Sequence, residues 1–220
     1  MSTPEPWLLF DVDGTLVDSA GLIEDVWRQV AAEFGVDGEA ILAVCHGRRD
    51  AEVVPMFFQP DDVVRVLARI QDLELAGAGR ARALPGALDL LRGLPPGRWA
   101  AVTSGPSRAV TARLAGAGLP VPEVLVAADH VENGKPDPEG YLAAASALGA
   151  DPSRCVVVED APAGVGAGRS AGMFVIAVTT THPAAELAEA DVVVTGLADV
   201  PGVLAGAFVP APRNQSEFSS

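Results

Sequence analysis

The sequence predicts an α/β fold in which a parallel sheet is covered by helices on both faces and carries an inserted helical lobe. Short apolar segments alternate with segments of helical spacing from residue 84 onward, which is the rhythm of strand–helix–strand units. Each apolar segment is nearly continuous, as in strands that are buried on both faces. Between residues 19 and 77 the pattern is helical throughout. We therefore expect a core formed by residues 1–15 and 82–209 and a helical lobe formed by residues 16–81.

This rhythm predicts six strands and four core helices. The strands are expected at residues 7–12, 99–102, 124–127, 155–158, 174–178 and 192–194, and the helices at residues 87–92, 108–115, 138–148 and 163–171. Within the lobe, apolar residues recur every three or four positions and predict an amphipathic helix: Ile23, Val26, Trp27, Val30, Ala31 and Phe34. No convincing strand is expected between Ser19 and Leu84. The polar, proline-led segment 210–220 is predicted to be disordered.

The composition is that of a globular protein with an acidic surface. The chain of 220 residues is 49% hydrophobic and carries a net charge of −14. Such a surface repels nucleic acid and anionic membranes, so neither is expected as a partner. The two cysteines and the lack of a signal-peptide pattern favour a cytoplasmic protein, and no apolar run approaches the roughly 20 residues that span a bilayer. A monomer is the default expectation.

Polar residues follow four of the predicted strands at the point where each strand ends. Asp11 and Asp13 end the first strand, Ser104 and Gly105 follow the second, Lys135 follows the third, and residues 159–160 end the fourth. Ligands of open parallel sheets bind at the carboxyl ends of the strands. The four clusters are therefore expected to meet at one edge of the sheet.

The first cluster suits phosphate-ester chemistry. A carboxylate such as that of Asp11 can attack phosphorus, since the acyl phosphate that forms is itself readily hydrolysed. A second carboxylate, Asp13, can protonate the leaving alkoxide and later deprotonate the attacking water. An Asp-Gly pair after an apolar run is also a common hairpin-turn signal. Residues 11–14 alone are therefore consistent with either a catalytic acid pair or a simple turn.

The fourth cluster suits a divalent cation. Glu159 and Asp160 offer the oxygen ligands that Mg²⁺ prefers, although an acid at a strand end also commonly caps the next helix. Several carboxylates and a phosphate dianion in one place would repel each other, by about 4 kcal/mol for two charges 4 Å apart at an effective dielectric of 20. A cation removes this repulsion and stabilises the charge on the transferring phosphoryl group.

The second and third clusters suit binding of the phosphoryl group. The Ser104 hydroxyl, with backbone N–H groups nearby, can bind a phosphoryl oxygen, or it can simply cap a helix. Lys135 stands on a loop held by two prolines and can offset the negative charge, although a lone lysine is usually a solvated surface residue. The glycine-rich run 163–168 invites a dinucleotide-binding reading, but Arg169 stands where the fingerprint needs its last glycine. Close helix–sheet packing explains these small residues better.

Together these clusters resemble the haloacid dehalogenase-like hydrolases. Residues 11–19 (DVDGTLVDS) resemble the first motif of that family, residues 103–105 the second, residues 134–138 the third and residues 158–164 the fourth. The order and spacing agree to about residue 205. The resemblance implies a Rossmann-like three-layer core with a helical cap domain inserted after the first motif, and a hydrolase that acts on a small phosphorylated metabolite.

The resemblance also implies roles for individual residues. It makes Asp11 the nucleophile and a magnesium ligand, and Asp13 the acid/base and a ligand through its backbone carbonyl. It places Ser104 and Lys135 on the phosphate, and Asp160 on the metal with Glu159 beside it. Relatives that act as dehalogenases lack an acid at the position of Asp13, so that activity is not expected.

The cap gives a weaker indication of the substrate group. Residues 46–49 resemble a His-Gly-x-Arg motif of the sugar and polyol phosphatases, which implies that Arg49 contacts the substrate, while Arg48 is at a variable position. His46 either contacts the substrate or packs the loop, and the cluster by itself is equally consistent with a solvated loop between helices. A β-phosphoglucomutase-type isomerase would use the same four motifs, and an idle binding protein on this fold is the alternative from another class. A mutase would convert a hexose 1-phosphate to the 6-phosphate without releasing phosphate.

Overall fold

The computed structural model describes residues 5–206, and within that range the chain forms two sheets and nine α-helices. The strands are β1 (Trp7–Phe10), β2 (Val17–Asp18), β3 (Arg82–Ala83), β4 (Trp99–Val102), β5 (Leu125–Val126), β6 (Cys155–Glu159), β7 (Phe174–Val178) and β8 (Val192–Val194). The helices are α1 (Ala20–Phe34), α2 (Gly38–Cys45), α3 (Asp50–Phe57), α4 (Val63–Gly77), α5 (Ala87–Gly93), α6 (Ser107–Gly116), α7 (Glu139–Ala147), α8 (Pro162–Ser170) and α9 (Val200–Gly206).

The large sheet has the strand order β5-β4-β1-β6-β7-β8, and every neighbouring pair is parallel. The chain runs outward from β1 through β4 and β5, and then crosses back to β6 on the other side. This reversal next to β1 creates a crevice at the carboxyl ends of the central strands. The predicted α/β class is confirmed, and the four predicted core helices begin and end within one residue of their expected bounds.

Two strands are shorter than predicted. The first ends at Phe10 instead of residue 12, and the strand expected at 124–127 covers only Leu125–Val126. The first strand stops early because the chain turns away into the loop that carries the two acids. The second is at the edge of the sheet, where a strand has one partner to pair with.

Alternate residues of the central strands pack into two separate cores. Leu8 and Phe10 face one cluster, which α5, α6 and α9 cover. Leu9 faces the other cluster, which α7 and α8 cover. Because successive side chains of a strand point to opposite faces, a continuous apolar strand such as β1 requires helices on both sides. The result is a three-layer core.

The second sheet corrects the expectation that no strand lies between Ser19 and Leu84. Strand β3 pairs antiparallel with β2, with Val17 opposite Ala83 and Asp18 opposite Arg82. Two residues are too few to give an alternating pattern in the sequence, so this expectation was wrong. The pair encloses helices α1 to α4 at the point where the chain leaves and re-enters the core.

Helices α1 to α4 pack around an apolar cluster of their own, with Trp27, Val30, Ile41 and Ile70 among its most buried members. Leu16 and Ala81, at the two crossings, pack with the core cluster instead. The division into two domains at these points stays a prediction. Within residues 5–206 no helix has both the length and the apolar character needed to cross a membrane. The predicted disordered segment 210–220 lies outside the described residues.

Candidate active site

The carboxyl ends of β1, β4 and β6 open into a cavity of about 460 Å³ between the core and helices α1 to α4. Every predicted site residue except Arg49 lines it: Asp11, Asp13, His46, Ser104, Gly105, Lys135, Glu159 and Asp160. The topology thus brings the four clusters together, as the placement of the residues after parallel strands predicts. The rest of the wall comes largely from the helical lobe.

Asp11 and Lys135 form a buried ion pair at the core end of the cavity. The Lys135 Nζ lies 2.6 Å from Asp11 Oδ1, and it also donates to the Val102 carbonyl at 3.1 Å. Burial raises the pKa of Asp11 well above its usual value, which Lys135 opposes and the carboxylates of Glu159 and Asp160 reinforce. Although burial alone would lower it, the pKa of Lys135 is raised because Asp11 and Glu159 are so close. The ammonium therefore stays charged.

Glu159 is held in place by four hydrogen-bond donors. Its Oε1 accepts from Lys135 Nζ at 2.6 Å and from the Tyr141 hydroxyl at 3.0 Å. Its Oε2 accepts from the backbone N–H groups of Asp160 and Ala161, at 2.9 and 3.1 Å. A carboxylate has about four lone-pair sites, so these contacts use its acceptor capacity. Glu159 is therefore placed to fix the position of the Lys135 ammonium.

The glycine-rich helix α8 makes room for this carboxylate. A Cβ on Gly164 would lie 1.6 Å from Glu159 Oε1, so no other residue fits there without displacing it. Gly168 lies similarly close to the sheet, with a Cβ 2.9 Å from a methyl group of Val175. The small residues serve close packing, as expected from the broken dinucleotide pattern.

Asp160 is fixed by two hydroxyl groups that the sequence analysis did not identify. Thr15 donates to Asp160 Oδ1 at 2.8 Å, and Thr181 donates to Asp160 Oδ2. Burial raises the pKa of Asp160 to about 6, and Glu159 adds to this, while both threonines oppose it. Thr181 belongs to a polar segment directly after β7, at the same sheet edge as the other clusters. That position was the signal that could have found it.

Gly14 lets the chain pass between the acids. It has φ +91°, and a Cβ there would lie 2.3 Å from Asp160 Oδ2. Only glycine readily adopts this conformation, and only glycine leaves space for the carboxylate. The Asp-Gly pair therefore turns the chain and also places Asp13 at the site.

The acidic cluster fits a divalent cation. Oxygens of Asp11, Glu159 and Asp160 lie within 4.8 Å of one another, and Asp11 and Asp160 keep acceptor capacity for a cation, whereas four donors already occupy Glu159. One ammonium faces three buried carboxylates. Burial raises the pKa values of Asp11 and Asp160, and the Glu159 carboxylate adds to both shifts. Hard oxygen donors are the ligands that Mg²⁺ prefers.

Asp13 points to the other side of the loop from Lys135. Its Oδ1 accepts from the Ser19 hydroxyl at 2.6 Å, and its Oδ2 lies 3.1 Å from Arg113 Nη2. Arg113 comes from α6 and is 1% exposed. Nothing in its sequence context marks this arginine as a site residue, since it stands in the last turn of a predicted core helix, away from the ends of the strands.

Arg113 also bonds the helical lobe. Its Nη1 lies 3.1 Å from Glu74 Oε1 on α4, which forms a buried ion pair between lobe and core. Asp50, at the start of α3, lines the same part of the cavity. Burial raises the pKa of Asp50 to about 7, with Glu74 and Asp13 adding to the shift and Arg113 opposing it. One arginine therefore faces three carboxyl groups.

The predicted substrate contacts of the lobe separate in the structure. His46 and Arg48 line the cavity, and the Ser104 hydroxyl donates to the Gly47 carbonyl at 3.0 Å, joining core and lobe. Arg49 instead pairs with Glu52 at 2.6 Å and donates to the Glu132 carbonyl at 3.0 Å. Its role in substrate binding stays a prediction.

The match to a known family decides the broad identity. Residues 7–172 match the model of the haloacid dehalogenase-like hydrolases, which is most of the chain. The chain belongs to this family. The predicted resemblance is confirmed, and strand β1, helices α1 to α4 and the acidic cluster of Asp11, Glu159 and Asp160 all lie within the matched range.

Two curated relatives are named as phosphatases. The chain is 42% identical to hexitol phosphatase A of Escherichia coli over an alignment of 200 positions, gaps included, that covers 87% of this chain and 91% of that protein. It is 35% identical to 2-deoxyglucose-6-phosphate phosphatase 1 of Saccharomyces cerevisiae over 218 residues, covering 87% of this chain and 88% of that protein. These relatives confirm the expected enzyme class, a phosphoric monoester hydrolase.

Solved structures of the family agree with the fold. CbbY from Rhodobacter sphaeroides, crystallised in complex with xylulose-1,5-bisphosphate, superposes with a TM-score of 0.77 at 25% sequence identity. The match covers 87% of this chain and 94% of that one. The alignment therefore includes both the core and the inserted helices.

Proposed function

We propose that this haloacid dehalogenase-like hydrolase cleaves a sugar or polyol phosphate by forming an aspartyl-phosphate on Asp11. The observation that carries the proposal is the buried pair of Asp11 and Lys135, 2.6 Å apart, at the core end of a cavity lined by further carboxylates. The ammonium is placed to attract a phosphoryl group toward the carboxylate that attacks it. The names of the curated relatives support a sugar or polyol as the leaving group.

The reaction divides into two displacements at phosphorus. In the first, an Asp11 oxygen forms a bond to phosphorus, the bond from phosphorus to the ester oxygen breaks, and Asp13 gives its proton to the departing alkoxide. In the second, Asp13 takes a proton from water, whose oxygen attacks phosphorus and releases Asp11. The Arg113 and Ser19 contacts hold the Asp13 carboxyl in position between the two steps.

Other residues of the core hold the phosphoryl group. Lys135, Ser104 and Gly105 line the cavity together with Asp11, and we assign them to the phosphoryl oxygens. The Ser104 hydroxyl would exchange its bond to the Gly47 carbonyl, and the Gly105 N–H its bond to Thr103 Oγ1, for bonds to phosphate. Mg²⁺ would be held by Asp11, Asp160 and the backbone carbonyl of Asp13, where it would neutralise negative charge on the phosphoryl oxygens. We assign Glu159, whose acceptors are already occupied, to holding Lys135 beside this site.

The test is phosphate release from hexitol, deoxyhexose and glycerol phosphates, with Mg²⁺ and then with EDTA. We expect Mg²⁺-dependent release from the wild-type chain, and Asp11→Asn is expected to lower kcat by at least 1000-fold because the amide is a poor nucleophile. Asp89→Asn makes the same change at an exposed position of α5 and serves as the control.

Two outcomes would contradict the proposal. Conversion of a hexose 1-phosphate to the 6-phosphate with no phosphate release would identify a mutase. If the wild-type chain turns over no ester with Mg²⁺ present, the remaining hypothesis is a catalytically idle binding protein on this fold.

A further inference from the structure

We propose that Glu74, together with Asp50, binds hydroxyl groups of the leaving group and so selects a neutral polyol or sugar over an anionic one. This inference rests on the proposed function and deepens it, since it assigns specificity to residues at the lobe side of the cavity. Neither residue belongs to the four motifs of the core.

The carboxylate of Glu74 has an unused acceptor. Glu74 lies on α4, is 5% exposed and lines the cavity. Its Oε1 is bonded to Arg113, but its Oε2 is buried and has no hydrogen-bond partner within residues 5–206, and the Nε of the same arginine is likewise buried and unpaired. Leaving a buried acceptor unpaired is unfavourable, so such an atom marks a place where a donor is missing. The terminal torsion of a glutamate is soft, and a small rotation presents this oxygen to a group in the cavity.

The position of Glu74 matches that of a leaving group. A phosphoryl group next to Asp11 and Lys135 occupies the core end of the cavity. The remainder of the ester must then occupy the rest of the cavity, whose walls include Asp50, Glu74 and Arg113. Hydroxyl groups can donate to the carboxylates.

The charge balance at this wall excludes anions. Arg113 is paired with Asp13 and Glu74 and has Asp50 nearby, so its charge is already opposed by three carboxyl groups, while Arg48 also lines the cavity. A carboxylate or a second phosphate would add repulsion to a wall that is already rich in negative charge. A site that binds carboxylates or phosphates would be rich in positive charge. A ligand with several hydroxyl groups can instead donate hydrogen bonds to the carboxylates that are present.

The experiment compares three esters on the full-length enzyme with Mg²⁺. The substrates are a hexitol phosphate, p-nitrophenyl phosphate, which has no hydroxyl group, and 2-phosphoglycolate, which has a carboxylate. Glu74→Gln is expected to raise KM for the hexitol phosphate about tenfold and to leave kcat and KM for p-nitrophenyl phosphate within twofold. It is expected to raise kcat/KM for 2-phosphoglycolate several-fold. Asp72→Asn, an exposed change two residues earlier on α4, should alter none of these values.

An equal loss on all three esters would overturn the proposal, since it would mean that Glu74 acts only through Arg113 on Asp13. Unchanged kinetics on all three would overturn it as well. If circular dichroism shows that Glu74→Gln does not fold, Asp50→Asn provides the same comparison, and we expect the same separation between the hexitol phosphate and p-nitrophenyl phosphate.

Failure of the proposed function gives a different result. If the wild-type chain hydrolyses no ester, calorimetric titration measures its affinity for the hexitol phosphate and so tests the binding role of Glu74 without catalysis. Affinity that falls about tenfold in Glu74→Gln, and not in Asp72→Asn, supports the assignment. Equal affinities in the three proteins, or no measurable binding to the wild-type chain, contradict it.

Discussion

At the scale of single residues, the site depends on how the Glu159 carboxylate is held. Two side chains and two backbone groups donate to it, and it in turn keeps the Lys135 ammonium 2.6 Å from Asp11. A buried carboxylate is tolerated when hydrogen-bond donors satisfy it, and removing one of these donors destabilises the folded state. Tyr141, the only tyrosine of the chain, is fully buried and supplies one of these donors.

Tyr141→Phe is expected to lower the free energy of unfolding by about 1.5–3 kcal/mol, the range for a hydrogen bond to a charged group. The ring still fills its place, so the loss comes from the missing hydroxyl. Urea denaturation monitored by circular dichroism measures it. Since Lys135 still bonds Glu159 Oε1, phosphate release should fall much less than in Asp11→Asn. An unchanged urea midpoint would show that the phenol adds nothing to Glu159.

At the scale of the elements, the glycines of helix α8 determine how closely the helix packs against the site. Its N-terminal turn follows the strand that carries Glu159 and Asp160, and Gly164 in that turn lies against the Glu159 carboxylate. Gly166, two residues later, has a different environment, because a Cβ there would make an ordinary contact 3.4 Å from the Pro136 ring. The two glycines therefore form a matched pair within a single helix.

Gly164→Ala is expected to lower kcat at least tenfold, because the added methyl displaces the Glu159 carboxylate and with it the Lys135 ammonium. Gly166→Ala should keep its kcat within about twofold and gain up to about 1 kcal/mol of stability from the better helix former. Phosphate release and thermal unfolding of both variants provide the comparison. Similar losses of activity in both would mean that α8 responds to any added methyl group.

The elements also show which parts of the site the sequence could predict. Asp11, Lys135 and Asp160 each follow a strand, and parallel strands bring their carboxyl ends to one edge, so the pattern alone brings these residues together. The contact between Glu74 and Arg113 depends instead on how α4 packs against α6, and no local pattern encodes the packing of two helices 39 residues apart. The two-residue strand β3 could not be predicted either, because it is defined only by its pairing with β2 and is too short to show a pattern in the sequence.

At the scale of the whole molecule, the lobe meets the core across buried charges. Arg113 from the core faces Glu74 and Asp50 from the lobe, in a protein whose net charge is −14. An arrangement with more acids than bases is unfavourable to the folded state when all the acids are ionised. The stability of the chain should therefore depend on the ionisation of Asp50.

The sign of this dependence follows from the pKa of Asp50, which burial raises from an ordinary value of 3.8 to about 7. Between these two pH values the folded state binds more protons than the unfolded state, so the free energy of unfolding falls as the pH rises toward 7 and changes little above it. Asp50→Asn removes the charge at every pH. The variant should therefore gain stability over the wild-type chain, by about 2.5 kcal/mol more at pH 8 than at pH 5.

Urea denaturation of the wild-type chain, Asp50→Asn and Asp72→Asn at pH 5 and pH 8 tests this expectation. Asp72 is exposed, so the difference between Asp72→Asn and the wild-type chain should be the same at both pH values. Parallel curves for Asp50→Asn and the wild-type chain would mean that Asp50 is already ionised at pH 5 in the folded protein. Arg113 would then stabilise the Asp50 carboxylate, and Asp50 would contribute a negative charge to the wall of the cavity throughout the physiological pH range.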